Sequence, residues 1–181
     1  MNRYFSWSIL PGLVLCFAFA VVAQQAEPKY KELPNFHSVN TKLFRGGQPQ
    51  KGGLQKLSEM GIKTIINLRD DDALADTEEE EARAAGLQYF NVPFDNFGRP
   101  SDEKVNKVLS LLTATENQPV FVHCKRGSDR TGTIIAIYRI SFDGWTGDQA
   151  MSEAKRYGLG FWQTGMKDYI GDYYKRRKKG S

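Results

Sequence analysis

Cysteine and histidine are scarce in this chain of 181 residues, limited to Cys16, Cys124, His37 and His123. Two isolated histidines with no neighbouring cysteine pair give no ligand cluster of the kind a zinc centre needs. Beyond residue 23 a single cysteine is left, so that part of the chain can form no internal disulfide. Long apolar runs are also missing. The best one, Ile9 to Ala23, is interrupted by Pro11-Gly12 and falls short of the ~20 residues a spanning helix needs. Charge of one sign is not in large excess either. A net charge of +4 and a pI of about 9.0 are mildly basic, and no nucleic-acid partner is expected.

What is present divides the chain into four stretches. Arg3 is the only charge ahead of the apolar run, and Val21-Val22-Ala23 offers a small-residue cleavage site, so 1–23 reads as a signal peptide. Leu15 stands where a lipoprotein pattern before Cys16 would want a small residue. Export to a periplasm or secretion is therefore expected, with an uncleaved anchor from near Phe5 as the alternative. Residues 24–40 form a polar lead-in with Pro28 and Pro34, expected to be unstructured through Phe36. A domain follows over 41–174, of a size that buries a core without disulfides. Lys175-Arg176-Arg177-Lys178-Lys179 opens a basic tail, 175–181, which is solvated or weakly drawn to anionic surfaces.

Within the domain, strand and helix patterns alternate. Leu43-Phe44-Arg45 reads as a short edge strand and Gly53 to Met60 as a short helix. The β-branched run Ile62 to Leu68 reads as a buried strand, and Leu87 to Val92 as another. Between them Thr77 opens the acidic run Glu78 to Glu81, suited to the first turns of a helix. Ser101 can cap a helix carrying Val105, Val108, Leu109 and Leu112 at helical spacing. Val120 to His123 is a third buried strand, and helices are expected over 131–141, 148–157 and 163–176. This order predicts an α/β fold: a three-layer sandwich whose mostly parallel sheet of four to five strands is flanked by helices.

Chemistry concentrates at the junction of the last strand with its helix, His123-Cys124-Lys125-Arg126-Gly127-Ser128-Asp129-Arg130-Thr131-Gly132. A tight loop there turns backbone N–H groups and a helix N-terminus onto one spot, which is an anion site. The same field favours a thiolate at Cys124: a free thiol titrates near ~8.5, and such surroundings lower that to ~3.5–7.5. Arg130 follows six residues later, with a planar fork matched to two phosphoryl oxygens. Thr131 can hydrogen-bond the sulfur, and Gly127 and Gly132 permit the close turns. As a bystander, Cys124 would be a small buried hydrophobe, and Arg130, Thr131 and the glycines would be coincidence.

His-Cys-x-x-Gly-x-x-Arg-Thr-Gly resembles the signature of the protein tyrosine and dual-specificity phosphatase superfamily. Phe44-Arg45-Gly46-Gly47-Gln48-Pro49 and Gly61 to Arg69 are similar to the opening of its compact atypical branch, in bacteria, plants and fungi. The resemblance spans about Leu43 to Tyr157. It implies a phosphomonoesterase that needs no metal or cofactor, with Cys124 as nucleophile, Arg130 and Thr131 assisting, and Lys125, Arg126, Gly127, Ser128 and Asp129 around the phosphate. His123 is expected to orient the loop. The family's general acid is an aspartate on a loop some tens of residues earlier. Asp95, 29 positions before Cys124 (124 − 95), fits that place in Val92-Pro93-Phe94-Asp95. Asp102 is the rival, at a position suited to capping, and Asp70, Asp71 and Asp72 are read as solvating a turn.

The implied substrates are phosphotyrosine or dual-specificity phosphoproteins, or else inositol polyphosphates, pyrophosphates or phosphoinositides. Lys125 and Arg126 suit the inositides, whereas Ser128-Asp129 stands where the plant and fungal enzymes carry Lys-His. Three other classes compete: a rhodanese-like sulfurtransferase, a phosphate-binding module without turnover, and a metal-dependent hydrolase. The first does not need Arg130 or Asp95, the second usually loses the nucleophile, and the third lacks ligands.

Overall fold

The structure is a computed structural model that describes residues 30–70 and 72–180. The expected leader, the start of the lead-in and Asp71 lie outside them. In chain order the elements are β1 (His37–Asn40), β2 (Leu43–Gly47), α1 (Gly53–Glu59), β3 (Thr64–Asn67), α2 (Ala73–Ala84) and β4 (Gln88–Asn91). Then come α3 (Asp102–Thr113), β5 (Val120–Cys124), α4 (Asp129–Phe142), α5 (Gly147–Arg156) and α6 (Thr164–Lys179). The sheet runs β1-β2-β5-β3-β4, with β1 antiparallel to β2 and every other pair parallel. The expected α/β sandwich is what forms, with five strands.

β3 and β5 are buried along their whole length, as central strands covered on both faces must be. Side-chain alternation splits each strand between two cores. Phe121 of β5 and Ile65 of β3 meet Leu33, Phe36, Leu57 and Ala82, beneath α1 and α2. Val120, Val122 and Cys124 face the other way, into a core built with Val108, Leu112, Ile134 and Ile170 from α3, α4 and α6. Fully burying such a side chain contributes ~1.5–3 kcal/mol. α4 is buried on most of its sides because it packs against β5, α3, α5 and α6 together. Alternation thus points the Cys124 thiol toward α4 and leaves His123 on the α2 side, stacked on Phe121 at 5.7 Å.

Four expectations change. The lead-in is ordered from Tyr30: Leu33 and Phe36 are buried, and His37–Asn40 forms β1. β1 takes the edge, so β2 is an interior strand between β1 and β5. α2 starts before the acidic run, because the Asp72 side chain accepts from the N–H groups of Leu74 and Ala75 and caps it at once. Finally, Lys175 to Lys179 are no free tail but the last turns of α6, where cations complement the helix dipole.

Candidate active site

β5 delivers Cys124 to the start of the loop and α4 begins at Asp129, so the loop proper is only four residues, 125–128. Such a short connection needs Gly127 in the left-handed region, at φ 73°. A β-carbon there would also fall 2.4 Å from the Gly46 carbonyl carbon of β2. Gly127→Ala is therefore expected to destabilise by at least about 1–3 kcal/mol through overpacking and backbone strain together. A lower urea midpoint at unchanged m-value would show it.

A cavity of about 280 Å³ opens over Cys124. The loop contributes Cys124, Lys125, Arg126, Asp129 and Arg130 to its lining, and Asn96, Phe97 and Gln163 complete it. Arg130 is 5% exposed, its Nη1 donating to the carbonyls of Leu68 (3.3 Å) and Phe94 (3.1 Å). Those bonds hold the guanidinium across the ends of β3 and of the strand leading into the 93–101 loop. Burial pushes the Cys124 thiol up. Hydrogen bonds from the Thr131 hydroxyl and backbone N–H, the Arg130 charge and the Arg126 N–H outweigh it, and the net direction is down. The Thr131 hydroxyl is buried and has no aligned hydrogen-bond partner, so it can turn to a thiolate at Cys124.

The remaining loop residues hold the architecture. Asp129 accepts from Arg126 Nη2 at 2.6 Å and from the Gly160 N–H at 2.8 Å, tying the loop to the segment after α5. Ser128 packs against Gly158, where an added β-carbon would lie 2.8 Å from its Oγ. His123 is fully buried, its Nε2 3.0 Å from Glu78 Oε1, an electrostatic contact that is not aligned as a hydrogen bond. Glu78 also accepts from Asn67 Nδ2 and the Tyr89 hydroxyl. Burial pushes the Glu78 carboxyl up, but His123, Gln48 and Tyr89 bring it below the usual carboxylate range. So one member of the acidic run is a buried partner of the loop.

The candidate acids are placed apart. Asp95 is exposed and lines a neighbouring cleft with Phe94, Arg99 and Lys104; its neighbours Asn96 and Phe97, not Asp95 itself, line the Cys124 cavity. Asp102 accepts from the Tyr169 hydroxyl (2.6 Å) and Arg176 (3.0 Å), which gives it a structural role, and it is not among the residues lining the Cys124 cavity. Asp70 Oδ1 is 3.8 Å from Arg130 Nη1, and Asp72 caps α2. Sequence reasoning missed Asn96, Phe97 and Gln163 as lining, and Glu78 as a buried partner. Chain order carries no signal for the first three, since they reach the cavity only through folding.

A family model described as "DSP-PTPase phosphatase fused to NAD+ Kinase" matches residues 14–169. The chain belongs to this dual-specificity phosphatase family. Within it, the dual specificity protein phosphatase TpbA of Pseudomonas aeruginosa is 31% identical over 139 residues, 76% of this chain and 59% of that protein. The inositol diphosphatase DSP4 of Arabidopsis thaliana is 31% identical over 127 residues, 68% and 63% of the two. The chain thus spans about three-fifths of the length of these curated relatives. A crystal structure of P. aeruginosa TpbA, a cysteine-to-serine variant in complex with pTyr, superposes with TM-score 0.66 at 25% identity, covering 81% of this chain and 91% of that one. The core catalytic domain of the PP-IP phosphatase SIW14 from S. cerevisiae shares the fold with TM-score 0.70 at 23% identity, covering 81% and 90%.

Proposed function

We propose that the chain is a cysteine-dependent phosphomonoesterase that needs no metal and works through a phosphocysteine. The observation that carries this reading is the convergence of a thiol held below its ordinary pKa, Arg130 and the α4 N-terminus on one cavity. The Cys124 thiolate attacks phosphorus, forming the S–P bond as the ester P–O bond breaks. Arg130 and the loop N–H groups hold the equatorial oxygens as charge builds on them. Water then attacks phosphorus, the S–P bond breaks, and the sulfur leaves as a thiolate stabilised by the Thr131 hydroxyl. His123 orients the loop from the Glu78 side. The reading includes export, on the leader expected at 1–23.

Asp95 is the proposed acid. It protonates the departing alcohol or phenol and takes the proton back from water in the second step. Its loop already contributes Asn96 and Phe97 to the cavity, so a turn of that loop brings the carboxylate over the sulfur. Asp95→Ala is expected to slow alkyl phosphates ~10²-fold or more, within the range of general acid catalysis, and good aryl leaving groups much less. Asp102→Ala should instead leave both rates near wild type and lower the melting temperature. Equal losses on the two ester classes in Asp95→Ala would remove it from the acid role.

Phosphotyrosine or dual-specificity phosphoproteins are the proposed substrates. Phe97 is 70% exposed at the cavity, and Trp162, 48% exposed, lies 5.9 Å from Arg126, giving an aryl ring apolar surface to rest on. Asp129 neutralises Arg126, which leaves less free positive charge than a polyphosphate would draw. Inositol pyrophosphates are the second reading, favoured by the Arabidopsis diphosphatase and by the exposed Lys125. The test is phosphate release by the protein under chelator, on aryl phosphate, phosphotyrosine and phosphoserine peptides, phosphoinositides and inositol pyrophosphates. Release from the peptides supports the first class and release from the inositides the second. Phosphate-sensitive binding without any turnover would leave a binding module.

A further inference from the structure

Three successive carbonyls of the phosphate-binding loop each have a donor from the 35–48 segment. Lys125 O accepts from the Gln48 N–H at 3.2 Å, Arg126 O from Asn35 Nδ2 at 3.1 Å, and Gly127 O from Arg45 Nη2 at 2.8 Å. In a planar trans peptide the C=O and the following N–H point in opposite directions. Each carbonyl drawn outward therefore turns the next N–H, of Arg126, Gly127 or Ser128, toward the cavity. The Arg126 N–H is accordingly among the groups that draw the Cys124 thiol down.

Arg45 stands out among the three donors. Its side chain points from β2 into the α4 side of the sheet, 1% exposed, over the Tyr157 ring at 4.5 Å. Nε and Nη1 have no partner. Burial lowers its pKa to about 10, with Glu153, Tyr157 and Cys124 favouring the cation and Arg139 opposing it, so it stays charged at neutral pH. A buried cation with unmatched donors costs stability, and an apolar side chain of similar length would fill the place more cheaply. A residue that burdens the fold in this way while holding the anion loop is placed for the loop's work.

We infer that Arg45 is a positioning residue of the phosphate site: it pins the Gly127 carbonyl outward, aims the loop N–H groups at the phosphate, and sets a positive charge behind the sulfur. The inference rests on the phosphatase reading, and its test does not need turnover. Alkylation of Cys124 by iodoacetate is followed against pH, with and without inorganic phosphate, in wild type, Arg45→Met, Arg45→Gln and Arg45→Lys. Both neutral variants should raise the alkylation midpoint by about half a pH unit or more and weaken phosphate protection about tenfold, the scale of one charge-assisted hydrogen bond. Arg45→Lys should lie closer to wild type. Arg45→Met should melt at or above the wild-type temperature while binding phosphate less well. A neutral variant that folds and keeps both the wild-type midpoint and wild-type protection overturns the inference. A wild-type midpoint near that of a free thiol would instead strike the thiolate reading itself.

Discussion

Cys124→Ser is expected to abolish phosphate release while leaving phosphate binding intact. The loss should be on the order of 10⁴-fold or more, the scale on which removal of a covalent nucleophile acts in other hydrolases. Oxygen replaces sulfur at a buried site with little change of volume, so β5 and α4 should keep their places. What changes is ionisation. The hydrogen bonds from Thr131 and Arg126 and the charge of Arg130 lower a thiol enough to matter, whereas a hydroxyl starts too high for the same field to ionise it. Arg130 and the loop N–H groups remain, and without a thiolate beside them a phosphate dianion meets less repulsion. Binding of inorganic phosphate or a phosphotyrosine peptide, measured by calorimetry, should therefore hold or tighten. Retained turnover in this variant would take Cys124 out of the mechanism and bring down the reading built on it.

The loop was legible in the sequence because its chemistry is local. A strand, four residues and a helix start are contiguous from Val120 to Ile135, so nucleophile, arginine and glycines share one stretch of chain. The layers were legible for a similar reason, since Ile62 to Leu68 and Val120 to His123 show their burial in composition. Everything that reaches the loop from elsewhere stayed hidden. Glu78 sits in a run of four glutamates and differs from its neighbours only in facing β5, which alternation and helical phase decide after folding. Asn35 lay in a polar, proline-bearing stretch, yet Leu33 and Phe36 beside it anchor that stretch to the sheet. Arg45 did leave a trace, a charge set between Leu43-Phe44 and Gly46-Gly47. Reading Leu43-Phe44-Arg45 as an edge strand left open which face Arg45 takes, and folding buries it on the α4 side against Tyr157. The acid was least legible, because a carboxylate on an exposed loop is ordinary in sequence and Asp95 faces its own cleft here.

Arg130→Lys should cost heavily, second only to loss of the nucleophile, even though the charge is kept. Losing a preorganised donor at a developing oxyanion costs ~10²–10³-fold, and here a bidentate fork is lost as well, so ~10³-fold in kcat/KM is expected. The guanidinium has two tasks. Nη1 is committed to the carbonyls of Leu68 and Phe94, while the side chain also lines the cavity, where the rest of the fork is expected to take the phosphoryl oxygens. A lysine ammonium is a single point: bound to those carbonyls it is drawn off the phosphate, and turned to the phosphate it leaves the Phe94 carbonyl without a donor and the Leu68 carbonyl with only the Phe94 N–H. Loss in the second case spreads to the 93–101 loop, since Phe94 begins the stretch that carries Asp95. The variant should thus combine slow turnover, weak phosphate protection of Cys124 against iodoacetate, and a higher alkylation midpoint. If its kcat/KM stayed within about tenfold of wild type, charge alone would account for the site. The planar fork of Arg130, and the anchoring that aims it, would then have no part in catalysis.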